Sequence, residues 1–234
     1  MGKEVDTMIG IIAAMEEEMS ILKENLSCLE PEQIQGIYFY EGKINERNVV
    51  LCTSGVGKVN AAMAASLLLD HFECDFIINT GIAGGITGVE PEDIIIAKAL
   101  SYFDVDATPF QYAYGQVPGL PKVYSPSLDY ILRVKQILKQ LGLAYKEAIV
   151  YSGDSFVVSL EQVSKVDTTT PCVAEMEGAA IAQVCTRAGA NFIVLRYVSD
   201  VVGKPDQISD YSSFESQMAR RSSKICLEIL KKME

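Results

Sequence analysis

The sequence predicts an α/β fold, a three-layer sandwich in which helices flank a central mixed, mainly parallel twisted sheet. Three observations carry this. The apolar runs at residues 8–14, 75–80 and 192–198 are continuous rather than alternating, as in strands covered on both faces. Ala- and Leu-rich stretches with helical spacing lie between such runs. The two patterns alternate along the 234 residues, the order of strand–helix–strand units.

Taken in order, residues 8–14 form a strand, and Glu16-Glu17-Glu18 opens a helix. β-rich runs at 37–40 and 49–53 are joined through Gly42-Lys43-Ile44-Asn45 as a hairpin. Ser54-Gly55-Val56-Gly57 breaks the pattern before a helix over 58–72, and a buried strand over 75–80 ends at Gly81. Strands at 94–97 and 102–105 precede a Tyr-, Gly- and Pro-rich loop over 108–126, whose length marks it as functional or interfacial. A helix over 128–141 stops at Gly142, a strand follows at 148–151, and Ser159 starts a short helix. Residues 172–176 lead into a helix over 178–188, 192–198 is the last buried strand, and a helix over 214–233 closes the chain. The expected organisation is an N-terminal extension, residues 1–7, and a single domain, residues 8–234.

Composition excludes several partners. Twenty Lys and Arg against 31 Asp and Glu give a formal charge of −11, which repels nucleic acid and anionic membrane. The six cysteines are scattered without a C-x-x-C pair, and four lie in apolar runs typical of buried reduced thiols. No apolar stretch reaches the ~20 residues that span a bilayer, and no basic segment precedes a signal-type apolar core. A cytoplasmic location is expected.

Ligands of open α/β sheets bind beyond the carboxyl ends of strands, so polar residues there carry the most information. A lone histidine, His71, leaves no centre for a Ser-His-Asp triad or a His-rich zinc site, and its place near a helix end suits the macrodipole. Carboxylates show no calcium-loop spacing, so neither metal nor cofactor is expected. Gly55-Val56-Gly57-Lys58 is not a Walker loop, because Cys52 and Val59 stand where Gly and Ser or Thr are required. Thr80-Gly81-Ile82-Ala83-Gly84-Gly85 lacks dinucleotide spacing and reads either as a tight turn or as backbone approached closely by a ligand.

Two acids of Glu16-Glu17-Glu18 are explained by a helix N-terminus, leaving one for catalysis. Glu175-Met176-Glu177 joins an apolar strand to an Ala-rich helix, where a carboxylate is costly without a task; the vicinal hydroxyls of a ribose would suit it. Ser199-Asp200 ends the last strand, with Arg196 earlier on it. An Arg196–Asp200 ion pair or a helix cap by Ser199 or Asp200 would be a purely structural use.

These elements in this order resemble the methylthioadenosine/S-adenosylhomocysteine nucleosidases of the nucleoside phosphorylase superfamily. The likeness rests on Gly10-Ile11-Ile12-Ala13-Ala14-Met15-Glu16-Glu17-Glu18, Ser54-Gly55-Val56-Gly57-Lys58-Val59, Ile78-Asn79-Thr80-Gly81, Ser152-Gly153-Asp154-Ser155-Phe156, Glu175-Met176-Glu177 and Ser199-Asp200. It implies a nucleoside phosphorylase-like fold and hydrolysis of the N-glycosidic bond, freeing adenine in methionine salvage and in removal of S-adenosylmethionine by-products.

The resemblance makes Asp200 the acid at purine N7 and Glu18 the group that activates water, with Arg196 near it. It gives Phe156 the stacking position and Val157 the base-edge contact, while Glu177 and Met176 hold the ribose. Met15, Ala83, Gly84, Glu175, Ser199 and Tyr211 complete the substrate set. It further implies a homodimer in which Val56, Phe110, Tyr112 and Pro118 reach the neighbouring 5′-substituent pocket, with the 108–126 loop. Ile82 departs from the family's usual Ser and offers the acid no hydroxyl. A phosphorylase on the same fold would carry Arg at Asn79, and a non-catalytic nucleoside binder would not need Glu18, Glu177 and Asp200 together.

Overall fold

In the computed structural model, residues 7–28 and 30–233 are described. The elements are β1 (Ile9–Ala13), α1 (Glu16–Glu24), β2 (Ser27–Cys28), β3 (Glu32–Ile34), β4 (Ile37–Ile44), β5 (Arg47–Thr53), α2 (Lys58–Asp70), β6 (Phe76–Thr87), β7 (Ile94–Tyr102), α3 (Leu128–Gln140), β8 (Lys146–Ser152), β9 (Cys172–Glu175), α4 (Gly178–Ala188), β10 (Asn191–Val201) and α5 (Gln207–Lys232). Short 3₁₀ turns occupy Thr108–Phe110 and Leu160–Val163.

One mixed sheet runs β10-β7-β8-β9-β6-β1-β5-β4-β2, with β3 on β4 and a further β10–β6 pairing. The 12-residue β6 makes this possible: Phe76–Asn79 pair with β1 on one side while β10 runs along the other, and beyond Gly84 the strand also pairs with β9. Strands β6, β10, β7, β8 and β9 thus close on one another, while β1, β5, β4 and β2 extend from β6.

Strand periodicity sends alternate residues to opposite faces. Ile12, Ile77 and Val194 face α2 and α4, whose Ala61, Ala64, Ala65, Ala179 and Ala182 let both helices lie close. Ile11, Ile78 and Ile193 face Met19 and Leu22 of α1, Val134 of α3 and Leu227 and Leu230 of α5. This is the expected three-layer arrangement. Cys52, Cys74, Cys172, Cys185 and Cys226 are free and buried, and burial pushes the Cys172 thiol up to about 11. Among the described residues no helix is long and apolar enough to cross a membrane.

Several boundaries differ from the sequence reading. β6 does not end at Gly81; it continues through the glycines to Thr87, and none of Gly81, Gly84 and Gly85 has a positive φ. The hairpin turns at Asn45-Glu46, both left-handed (φ 49° and 66°), so Gly42-Lys43-Ile44 belongs to β4. Tyr102 ends β7 rather than opening a new strand. α5 begins at Gln207, ahead of the expected 214, and the short edge strands β2 and β3 were not anticipated. Of the proposed 1–7 extension, only Thr7 falls within the described residues.

Candidate active site

Glu18 lies in the first turn of α1 but does not point to solvent. It is 3% exposed, and its carboxylate turns back over the end of β1. Oε2 accepts hydrogen bonds from the backbone N–H groups of Ala14 and Met15, both at 3.0 Å, and Oε1 accepts from Ile82 N–H at 2.9 Å. Gly81 lies tight against it: a Cβ there would stand 2.6 Å from Oε1. Burial raises the Glu18 pKa, opposed by the charge of Arg196 and by the three N–H donors. A carboxylate has about four lone-pair sites, so one acceptor position remains for a water.

Two further acids stand where β9 meets α4. Glu175 accepts from the N–H groups of Glu177 (3.1 Å) and Gly178 (2.8 Å) at the start of α4, and also bonds Ser152 Oγ and Arg196 Nη2. Arg196 Nη2 donates as well to Asn79 Oδ1 at 2.6 Å, and Asn79 Nδ2 donates to Ile12 O at 3.1 Å. Glu177 accepts from Gly57 N–H at 2.9 Å. Burial and the neighbouring Glu175 carboxylate push its pKa well up.

Asp200, 3% exposed, lies within β10 next to a bulge at Ser199, where the register with β6 slips between Val198 and Asp200. A bulge re-aims the side chains that follow it. Ser199 Oγ donates to Asp200 Oδ1 at 2.6 Å, and Gln207 Nε2 donates to Oδ2 at 2.7 Å.

These carboxylates share one cavity. Glu18, Glu177, Asp200, Met176, Phe156 and Tyr211 line it, together with Ala14, Met15, Val56, Ile82, Ala83, Gly84, Ala174, Glu175 and Ser199. A contiguous lobe adds Ser155, Val157 and Val202. Phe156 and Tyr211 meet edge to face, with ring centroids 4.9 Å apart. None of the described residues lining either part is Lys or Arg.

The phosphorylase superfamily family model matches residues 8–231. Over 228 residues the chain is 41% identical to the 5′-methylthioadenosine/S-adenosylhomocysteine nucleosidase of Geobacillus kaustophilus (strain HTA426), covering 96% of this chain and 97% of that one. The chain belongs to this nucleosidase family of the phosphorylase superfamily. Among solved structures of the family, the S-adenosylhomocysteine nucleosidase of Streptococcus pyogenes in complex with 5-methylthiotubericidin is 37% identical over the whole of both chains, with a TM-score of 0.92. The Neisseria meningitidis nucleosidase in complex with methylthio-immucillin-A is 34% identical, covering 97% of this chain and 100% of that one, with a TM-score of 0.91.

The structure brings together most of the residues singled out in the sequence, with three corrections and one addition. Arg196 is absent from the cavity wall; its guanidinium is bonded to Glu175 and Asn79 instead of pairing with Asp200. Neither Ser199 nor Asp200 caps a helix, because β10 runs on to Val201. Val56, expected to reach a neighbouring pocket, lines the cavity of its own chain, since the turn after β5 folds beside β1. Phe110, Tyr112 and Pro118 lie off this cavity, and Phe110 is 77% exposed. The addition is Gln207, a nucleosidase side chain that nothing in the sequence marked. Among the described residues no group of three or more His, Cys, Asp and Glu is placed to hold a metal.

Proposed function

We propose that this chain is an N-glycosyl hydrolase that cleaves 5′-methylthioadenosine and S-adenosylhomocysteine, releasing adenine and the 5-substituted ribose. The observation that carries the reading is a cavity with four buried carboxylates, Glu18, Glu175, Glu177 and Asp200, and no Lys or Arg among the described residues of its wall. Cleaving the ribosyl bond leaves positive charge on the sugar and negative charge on the departing purine. Acids serve both halves of that transition state.

In this reading Asp200 delivers a proton to purine N7. Glu18 takes one from water through its remaining acceptor site, and a raised pKa makes it a better base. Glu177 and Met176 hold the ribose, Phe156 stacks on the base, and the Val157 backbone contacts its edge. Met15, Ala83, Gly84, Glu175, Ser199 and Tyr211 shape the rest of the pocket. Arg196 acts from below, holding Glu175 and biasing Glu18 by its charge. Phosphorolysis finds no support: a phosphate would meet carboxylates with no Lys or Arg among the described residues lining the cavity, and Asn79 is bonded to Arg196 and Ile12.

The same reading makes residues 8–234 one functional unit, located in the cytoplasm and acting as a homodimer. Its 108–126 loop lends Phe110, Tyr112 and Pro118 to the neighbour's 5′-substituent pocket, a role that suits the exposure of Phe110. A panel of methylthioadenosine, S-adenosylhomocysteine, 5′-deoxyadenosine and 6-amino-6-deoxyfutalosine assayed for adenine release tests the activity. Turnover of the first two supports it; no adenine from any of the four rejects it.

A further inference from the structure

The side chain that steers Asp200 from the far side is Gln207, at the first turn of α5. Its Nε2 spends both protons on the site, one on Asp200 Oδ2 at 2.7 Å and one on Val157 O at 2.8 Å. Its Oε1 accepts from Gly203 N–H at 2.9 Å. Flipping the amide would set its oxygen against two acceptors and its NH₂ against a donor, so the three bonds fix which end faces Asp200. Gly203 (φ +80°) makes the reversal between β10 and α5 that returns the chain over Asp200. Gln207 is itself 3% exposed.

We propose that Gln207 is a positioning residue for Asp200, supplying from α5 the hydrogen bond that the apolar Ile82 side chain on β6 cannot. The proposal rests on the assignment of Asp200 as the acid. Ser199 and Gln207 each take one carboxyl oxygen, fixing the plane of the group, and the bare backbone of Gly84 lies against Oδ2, where an added Cβ would stand only 3.2 Å away. As Asp200 surrenders its proton its oxygens gain charge, and both donated bonds strengthen. An interaction that grows toward the transition state acts on kcat more than on KM.

The test compares Gln207→Met, which keeps the bulk but not the donor, with Gln207→Glu, whose carboxyl can donate only when protonated. Glu18, Glu175 and Glu177 line the same cavity, Tyr211 stands on α5, Asp206 precedes Gln207, and Glu92 and Lys204 line a hollow on the other side of Asp200. All of these are present in the parent too, so the readout is the variant-to-parent ratio at each pH.

Gln207→Met is expected to lose about ten- to a hundredfold in kcat with KM within about twofold. Gln207→Glu is expected to be impaired near pH ~8 and to climb back toward the parent as pH falls to ~5 and its carboxyl protonates. Parental kcat and pH profile in Gln207→Met, or equal pH-independent losses in both variants, would overturn the proposal. Asp200→Asn separates the two layers: if it retains parental adenine release, the assignment of Asp200 fails and Gln207 has no acid to position. If only the Gln207 variants behave like the parent, the positioning role alone fails.

Discussion

Arg196 is bonded to Glu175, not to Asp200 further along β10, and the bulge at Ser199 separates the two side chains. The pair is almost fully buried, with side-chain exposures of 1% and 2%, and Arg196 also holds Asn79. It is the floor on which the cavity acids stand.

Removing one partner of such a pair leaves the other charge buried and uncompensated. Arg196→Met is therefore expected to destabilise the fold by about 3–5 kcal/mol, read from urea unfolding. It is also expected to raise the Glu18 pKa further, because the Arg196 charge now holds it down. The acid limb of the kcat/KM profile should move to higher pH.

Gly81→Ala tests the close approach of β6 to the base. The added Cβ would sit 2.6 Å from Glu18 Oε1, and pushing this oxygen away would strain its bond from Ile82 N–H. Backbone strain is not at issue, because Gly81 lacks a positive φ. The variant should keep a melting temperature near the parent's and lose at least about tenfold in kcat. A fully active Gly81→Ala would mean that Glu18 is not held where it must act.

The elements legible in the sequence were those with a clear physical period. The continuous runs that became β1 and β10 could only be doubly covered strands, and Leu128–Gln140 shows the helical stripe that packs Val134 and Leu138 inward. β2 and β3 are too short to carry a pattern. The stretch holding glycines 81, 84 and 85 reads in the sequence as either a tight turn or backbone approached closely by a ligand, whereas here a missing side chain makes room for the oxygens of Glu18 and Asp200 inside a strand. Glu18, Glu177 and Asp200 were legible as carboxylates at strand and helix ends, Glu177 as one costly to bury. Gln207 was not, because a glutamine in a Ser- and Asp-rich stretch has no distinguishing signal; recognising that α5 starts there, with Tyr211 one turn on, would have pointed to it.

Glu177 couples stability to pH with a definite sign. Its pKa is raised in the folded chain by burial and by Glu175, so the folded state binds its proton more tightly than the unfolded state does. The associated stability is present below the ordinary carboxyl range and is lost as pH rises through the raised value. Glu177→Gln can keep the bond from Gly57 N–H without the charge. Denaturant unfolding of this variant should lack that step and show a more stable protein than the parent in alkaline buffer, together with weaker nucleoside binding. A parental stability–pH curve would contradict this.

The central claim is that water, not phosphate, attacks the sugar. The most direct measurement follows adenine from methylthioadenosine in rigorously phosphate-free buffer and again with phosphate added, with phosphorus NMR on the second mixture. The structure predicts the same rate in both, with all phosphate remaining inorganic. Turnover that begins only when phosphate is added, with a new sugar 1-phosphate resonance, would contradict it.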